Sequence, residues 1–396
     1  MRVVVLTTHT NNTPAFYEPL RGLGHEVHVV VYDLLAPDAF GHLPRWVAAA
    51  RPDLVVLVGA HPDFHPRPVV HVDVLALIGR AHRLVHLCCD AAEPVWWPVL
   101  DEYQRRGNFA LQVAIDGVRT GPIGDHGLTL LSPFDPGLYP SPLPPWASRP
   151  VELGFPGSPG GGDRSGSIST LQVRGVLTVR LRTDGDPAAY REFLTRCRCV
   201  LNHAATGSLQ RLHVKGRPVE AAHAGAVLLE QAGSPLADWF TPGADYLTWG
   251  SVDEVADKLA WVRASPHLAA AMAARLRARV LDEHSPAAFW GHVFARVGLG
   301  REVRPPRELP RVPWSLAPIA EPTPYQEPPP PPLPAGVMDP PLLLATRNRC
   351  NLVRYNQEFY VVPQRLGRVH LANHADRARP GIQRFPSEVE ALRAMG

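Results

Sequence analysis

The stretch His213–Gly233, "HVKGRPVEAAHAGAVLLEQAG", reads as a short helix followed by a buried strand. Pro218 suits the first helical position, where its missing N–H goes unnoticed, and Gly225 suits the position just past the end. A helix is therefore expected over Pro218–Ala224, with "AVLLEQ" (Ala226–Gln231) as a strand covered on both faces. Ala221, Ala222 and Ala224 keep that helix thin, so it can lie close to a sheet and a ligand can approach its backbone. Lysine is rare in the chain. Of 40 basic residues only Lys215 and Lys258 are lysine, and Lys215 stands directly before Gly216, Arg217 and Glu220.

Working outward, the same alternation of apolar runs and helical stretches surrounds this segment. Before and after it lie "VELGF" (Val151–Phe155), "GVLTVRL" (Gly175–Leu181), "CVLNH" (Cys199–His203) and "DYLTW" (Asp245–Trp249). Helix starts are marked by Asp186-Pro187, by the capping box "SVDE" (Ser251–Glu254), by Ser265-Pro266 and by Ser285-Pro286. A proline-rich hinge, "SPLPPWASRP" (Ser141–Pro150), precedes them. Ahead of the hinge the pattern occurs once already: "RVVVL" (Arg2–Leu6), a helix near Pro14–Leu23, "EVHVVVY" (Glu26–Tyr32), "DLVVLVG" (Asp53–Gly59), "RLVHLCC" (Arg83–Cys89) and "FALQVAI" (Phe109–Ile115). Near-continuous apolar strands separated by helices predict a doubly wound parallel sheet, here twice in tandem.

Past Gly300 the composition changes. Residues 301–341 are proline-dense and read as a polyproline II spacer, with recognition of the run "EPPPPPLP" as the other reading. In residues 342–396, "NLVRY" and "EFYVV" around Asn356-Gln357 predict a β-hairpin. So short a tail is expected to cap another surface or to bind a protein partner. The expected division is 1–145, 150–285, a helix crossing back over 286–300, the linker 301–341 and the tail 342–396.

Apolar content of 45% and 19% charged residues suit a globular chain, and a net charge of +3 over 396 residues gives no argument for a nucleic-acid polymer. The five cysteines include no Cys-x-x-Cys pair, so neither a disulfide framework nor a zinc site is indicated. "MRVVVLTTH" enters a strand at once, no apolar run spans a bilayer, and a cytoplasmic location is the expectation.

Two such domains leave a cleft between the carboxyl ends of their strands, where loop amides and helix starts converge. In the first half those ends carry Thr7, Thr8 and His9, then His61, Asp90 and Asp116. "TTHTNNTPAF" (Thr7–Phe16) lacks the glycines of a dinucleotide fingerprint. His9 reads either as an acid/base group or as a loop histidine bonded to backbone. Asp90 reads either as a hydroxyl acceptor or as a helix N-cap. Trp96 and Trp97 read as a sugar platform or as core, and Asp116 as a turn residue before Gly117. In the second half, "FPGSPGGGDRSG" (Phe155–Gly166) reads as a glycine-rich phosphate turn completed by Arg164, or as a surface loop. Lys215 and Arg217 before a helix start make a diphosphate site, against a solvated loop as the plain alternative. Glu220 accepts from ribose hydroxyls or balances the helix dipole.

"CRCVLNH" followed by "HVKGRPVEAAHAGAVLLEQAGSPLADWFTPGADYLTWGSVDEVADKLAWV" resembles the C-terminal half of group 1 glycosyltransferases, nearest the branch around the spore maturation protein CgeB. The Lys-Gly-Arg-x-x-Glu-Ala segment, the Ala-x-Gly, the Phe-x-Pro-Gly turn and the Glu-His near "VLDEHS" carry the likeness over Cys197–Ser285. It does not extend to the tail. The resemblance implies a GT-B fold, with the acceptor on the first domain and a nucleotide-sugar on the second. It implies Glu220 on the ribose, Lys215, Arg217 and Arg164 on the diphosphate, and Gly157, Ser158 and His203 beside the donor. It further implies no bound metal and no cofactor other than the donor substrate. Many relatives place a second glutamate eight residues before the ribose glutamate; here that position is Leu212, so the branch dispenses with that acid, or His213 or His203 takes its role, or catalysis is impaired.

The leading expectation is a glycosyltransferase that moves a sugar, plausibly with retention, to an acceptor hydroxyl, with His9, Asp90 and His213 as the catalytic candidates. A nucleotide-sugar epimerase and a non-catalytic nucleotide-sugar-binding scaffold are the alternatives.

Overall fold

The computed structural model describes residues 1–8, 14–32, 37–59, 70–119, 123, 127–157, 162–180, 187–206, 211–300, 342–347, 350–355, 358–363 and 381–395. His9, His61, Ser158, Asp186, the linker 301–341 and the Asn356-Gln357 turn lie outside these residues.

The first sheet is built on β1 (Arg2–Thr7), β2 (Glu26–Val31), β3 (Leu54–Val58), β4 (Leu84–Cys88), β5 (Leu111–Ala114) and β6 (Leu128–Thr129). These six are mutually parallel in the order β2-β1-β3-β4-β5-β6. The helices α1 (Pro14–Gly22), α2 (Leu43–Ala50), α3 (Val72–Ala81) and α4 (Trp97–Arg106) accompany them. Because consecutive side chains alternate faces, Val3, Val5, Val29, Val56 and Val85 fill one core while Val4, Leu6, Val55, Leu57 and Leu84 fill the other. Both faces are buried, which is why the strands read as unbroken apolar runs.

The second sheet contains β7 (Val151–Pro156), β8 (Thr178–Arg180), β9 (Cys197–Asn202), β10 (Val227–Gln231) and β11 (Leu247–Trp249), all parallel, in the order β11-β10-β9-β7-β8. Its helices are α5 (Gly162–Val173), α6 (Pro187–Arg196), α7 (Arg217–His223), α8 (Val252–Ala264) and α9 (Pro266–Glu283). Ser251 caps α8 by accepting from the Glu254 amide, while the Glu254 carboxylate accepts from Gly250 N. The helix α10 (Pro286–Arg296) returns to the first sheet, where Phe289, Trp290, Val293 and Phe294 join the core of Val3, Val5 and Val29.

The tail does not form a separate module. β12 (Leu342–Arg347), β13 (Cys350–Tyr355), β14 (Glu358–Pro363) and β15 (Gln383–Phe385) add to the first sheet antiparallel beyond β2, giving the full order β15-β14-β13-β12-β2-β1-β3-β4-β5-β6. The hairpin pairs Tyr355 with Glu358 and Cys350 with Pro363. One face of it, Val353, Tyr360 and Val362, continues the first core; the other, Leu352 and Val361, is covered by Ala391 and Met395 at α11 (Glu388–Ala394). A few residues that could not build a core alone thus extend one that exists.

Local corrections are small but instructive. The expected glycine-rich turn is helical from Gly162, because Ile168 and Leu171 anchor α5 in the core and outweigh the poor propensity of Gly166. Trp96 and Trp97 are buried with Cys88, Leu100 and Ile123, and are core rather than a sugar platform. All five cysteines are free thiols. Among the described residues no helix is long and apolar enough to cross a membrane.

Candidate functional site

The carboxyl ends of β4, β5, β7, β9 and β10 and the start of α7 meet where the two halves face each other. The second half is sewn to the first at several points around α7: Val214 N donates to Asp116 O at 2.9 Å, Trp239 Nε1 donates to Gly117 O at 2.8 Å, and His223 Nε2 lies 3.1 Å from Phe134 O. Gly216, the residue before α7, is pressed on Phe134; a Cβ there would come within 2.4 Å of the ring. No larger residue fits while Phe134 keeps its place.

Three cations gather at this edge. Arg217 opens α7 and is buried. Its Nη1 donates to Asn202 Oδ1 at 2.9 Å, its Nη2 donates to Pro156 O at 2.5 Å, and its guanidinium lies 4.6 Å from the centre of the Phe155 ring. Gly157, at φ 142°, makes room, since a Cβ there would sit 2.7 Å from Nη2. Arg164 reaches the same ring from α5 at 5.4 Å. Lys215 completes the group. Burial, followed by the Arg164 and Arg217 charges, lowers its ammonium pKa to about 7; Asp90 and Glu230 oppose the shift. Burial and Arg217 likewise lower Arg164 to about 10. Among the described residues no carboxylate lies within ion-pair distance of Lys215. Cations that depress one another's pKa in this way are stabilised by an incoming anion.

The end of α7 contributes less than the sequence suggests. Pro218 has no N–H, and the Val219 and Glu220 amides both donate to Gly216 O at 3.1 Å, so first-turn donors are already engaged. The side chains carry the positive charge instead.

Beneath the cations lies an interior acid that periodicity hides inside a strand. Glu230, on β10, is fully buried; its Oε2 accepts from Asn202 Nδ2 at 2.7 Å and its Oε1 has no partner. Burial raises its pKa to about 7. The signal was a glutamate in an otherwise apolar strand, "AVLLEQ". His203 follows β9, edge-on to Trp249 with ring centres 4.8 Å apart. Burial, then Arg164 and Lys215, lower its pKa to about 4, so the ring is neutral at ordinary pH and serves as a hydrogen-bond group, not a charged acid.

Glu220 is half-buried in the first turn of α7, and its Oε2 accepts from Tyr190 of α6 at 2.7 Å. Among the described residues Oε1 has no donor. Tyr190 lies in the first turn of α6.

The first half supplies two aspartates. Asp90 follows β4 with φ 52° and a side chain 62% exposed. It does not cap a helix: the next helical turn, Pro94–Trp96, has Glu93 before it. Asp116 is not a mere turn residue. It is buried, and its Oδ2 accepts from Ala92 N at 2.7 Å. His213 Nδ1 stands 3.6 Å from Asp116 Oδ2 and 3.9 Å from Asp90 Oδ1. Leu212, at the edge of this segment, pairs with Ala205 across an isolated bridge. The structure therefore brings Lys215, Arg217, Arg164, Gly157, His203 and Glu230 together, with Asp90, Asp116 and His213 adjoining across the domain junction.

Residues 167–294 match the family model described as glycosyl transferase-like. No curated protein matches the chain. Among solved structures, Anabaena Alr3699/HepE in complex with UDP and glucose superposes with a TM-score of 0.51 at 14% identity, over 75% of this chain and 99% of that one. The same protein with UDP-glucose gives 0.51 at 12%, over 75% and 99%. An alpha-glucosyltransferase in complex with UDP and a mismatch-containing DNA gives 0.52 at 9%, over 75% and 99%. The second half is thus glycosyltransferase-like in sequence, and the two-sheet body has the GT-B fold.

Proposed function

We propose that this chain is a glycosyltransferase of group 1 type, of the CgeB-like branch, which takes a hexosyl group from a nucleoside-diphosphate sugar and passes it to an acceptor hydroxyl. The observation that carries the reading is the cluster of Lys215, Arg164 and Arg217 at the carboxyl edge of the second sheet, with Lys215 half-buried and, among the described residues, without an ion pair. UDP complexes of proteins with this fold support the choice of ligand.

In this reading Lys215 and Arg164 contact the diphosphate. Arg217, whose fork is occupied by Asn202 and Pro156, adds charge from beneath rather than a direct contact. As the sugar–phosphate bond breaks, the leaving diphosphate gains negative charge, and cations already fixed in place stabilise it without reorganising. That supplies the electrostatic role a metal fills elsewhere, so the reaction proceeds with no bound metal and no cofactor. Glu220 Oε1 accepts from the ribose, with Tyr190 holding the other oxygen. Asp90, exposed on the first domain, accepts from the acceptor hydroxyl. His213 takes the sugar contact that Leu212 cannot make. Transfer proceeds with retention.

The test is incubation of the protein with UDP-, GDP- and dTDP-hexoses and a panel of hydroxyl acceptors, with the anomeric configuration of any product read by proton NMR. Transfer from one donor supports the proposal. Failure of every nucleoside diphosphate to bind overturns it.

A further inference from the structure

Among the described residues, neither ring nitrogen of His213, both of them buried, has a hydrogen-bond partner, and neither does the buried Oδ1 of Asp116. Orphaned polar atoms are costly in a folded interior and gather where a ligand or a rearrangement completes them. The two residues come from different domains. His213 belongs to the segment before α7, and its backbone N donates to Ala204 O at 2.9 Å. Asp116 follows β5 and is fixed twice: its Oδ2 takes the Ala92 amide, and its carbonyl takes the Val214 amide. The imidazole is thus anchored on the second domain and faces a carboxylate anchored on the first.

We infer that Asp116 is a positioning residue for His213: it holds the imidazole with the proton on Nδ1, so that the Nε2 lone pair is left to accept from a hydroxyl of the transferred sugar. The inference rests on the proposed transferase reading. The orientation follows from the geometry, since Nδ1 is the nitrogen nearest both carboxylates, at 3.6 and 3.9 Å, and a carboxylate can only accept. A small approach of the two domains turns the 3.6 Å contact into a hydrogen bond. Asp116 is the stronger partner because it is 5% exposed, whereas Asp90 at 62% is screened by water. Lys215 stands two residues along the same segment. The thiols of Cys88 and Cys89, next to Asp116, are kept protonated by burial.

The experiment compares wild type, Asp116→Asn and Asp90→Asn in three measurements: thermal shift by UDP, GDP and dTDP, hexosyl transfer, and the nitrogen-15 resonances of His213. Asp116→Asn retains an oxygen for the Ala92 amide, so the fold is expected to persist. These nucleotides carry no sugar, and their stabilising effect should be equal in wild type and Asp116→Asn. In wild type the resonances should show the Nδ1-protonated tautomer; in Asp116→Asn they should show a mixture. Transfer by Asp116→Asn should fall roughly 10- to 100-fold. Asp90→Asn should keep the wild-type tautomer. Absence of binding by wild type to UDP, GDP and dTDP alike sinks the transferase reading itself, and the resonances still decide the His213–Asp116 pairing. An unchanged tautomer in Asp116→Asn overturns the inference.

Discussion

Arg217 Nη1 donates to Asn202 Oδ1 at 2.9 Å, and Asn202 passes the connection on to Glu230 at 2.7 Å. The arginine of the sequence motif is therefore a buried tie between β9, β7 and α7. Arg217→Ala should cost on the order of 2–4 kcal/mol, since it orphans Asn202 and Pro156 O together. Arg217→Lys should recover little, because a single ammonium cannot reproduce the fork. Urea denaturation of the two variants checks both statements.

Lys215 should behave in the opposite way. Its ammonium is half-neutral near pH 7 because burial and two arginines disfavour the charge. Lys215→Met relieves that penalty, so the melting temperature should hold or rise while UDP no longer stabilises the protein. Calorimetric titration with UDP, run beside thermal melts, separates the two effects.

Donor affinity should depend on pH with a definite sign. A bound diphosphate raises the Lys215 pKa above its free value of about 7, so binding takes up a proton as pH exceeds that value. Affinity should be highest below about pH 7 and decline by up to roughly tenfold per pH unit above it, until the bound-state pKa is reached. Ionisation of Glu230, also near 7, adds negative charge in the same range and works in the same direction. In Lys215→Met most of the slope should vanish, as isothermal titration from pH 6 to 9 will show.

The Glu230 carboxyl also affects stability. Its folded pKa lies above the ordinary carboxylate value, so the native state holds the proton longer and stability falls as pH rises through about 4.5 to 7. Glu230→Gln keeps an oxygen for Asn202 and removes this loss. It should be more stable than wild type at pH 8, by on the order of 1–2 kcal/mol, and nearly equal to it at pH 5. Chemical denaturation at the two values is the check.

Gly216→Ala sets a methyl group 2.4 Å from Phe134 and should loosen the junction between the domains. A loss of roughly 1–3 kcal/mol is expected, as for overpacking. Phe134→Leu in the same chain should return part of it, and the departure from additivity in a double-mutant cycle measures the contact.

The strands were legible because a sheet buried on both faces needs unbroken apolar runs, and the helix starts because Ser251 and Ser285 cap as their spacing predicts. The cation cluster was legible for a chemical reason, the rarity of lysine beside Gly216 and Arg217. The division of labour within it was not, because a sequence does not say that Arg217 points at Asn202. Asp116 was hidden by its neighbour Gly117, which makes any aspartate look like a turn residue, while its partner His213 is 97 positions away. The place of the tail was equally hidden: "NLVRY" and "EFYVV" predict a hairpin, but only the bare side of β2 determines where it goes.

That placement bears on how the protein stays dispersed. β2, "EVHVVV", is an apolar strand that would end the sheet were β12 not beside it. A bare edge of this kind is a template on which other chains add strands. The appended strands move the boundary out to β15, three residues long, with exposed Gln383 and Arg384. A chain ending at Gly300 would keep the whole cation cluster and yet be prone to aggregate. The C-terminal strands cover that edge.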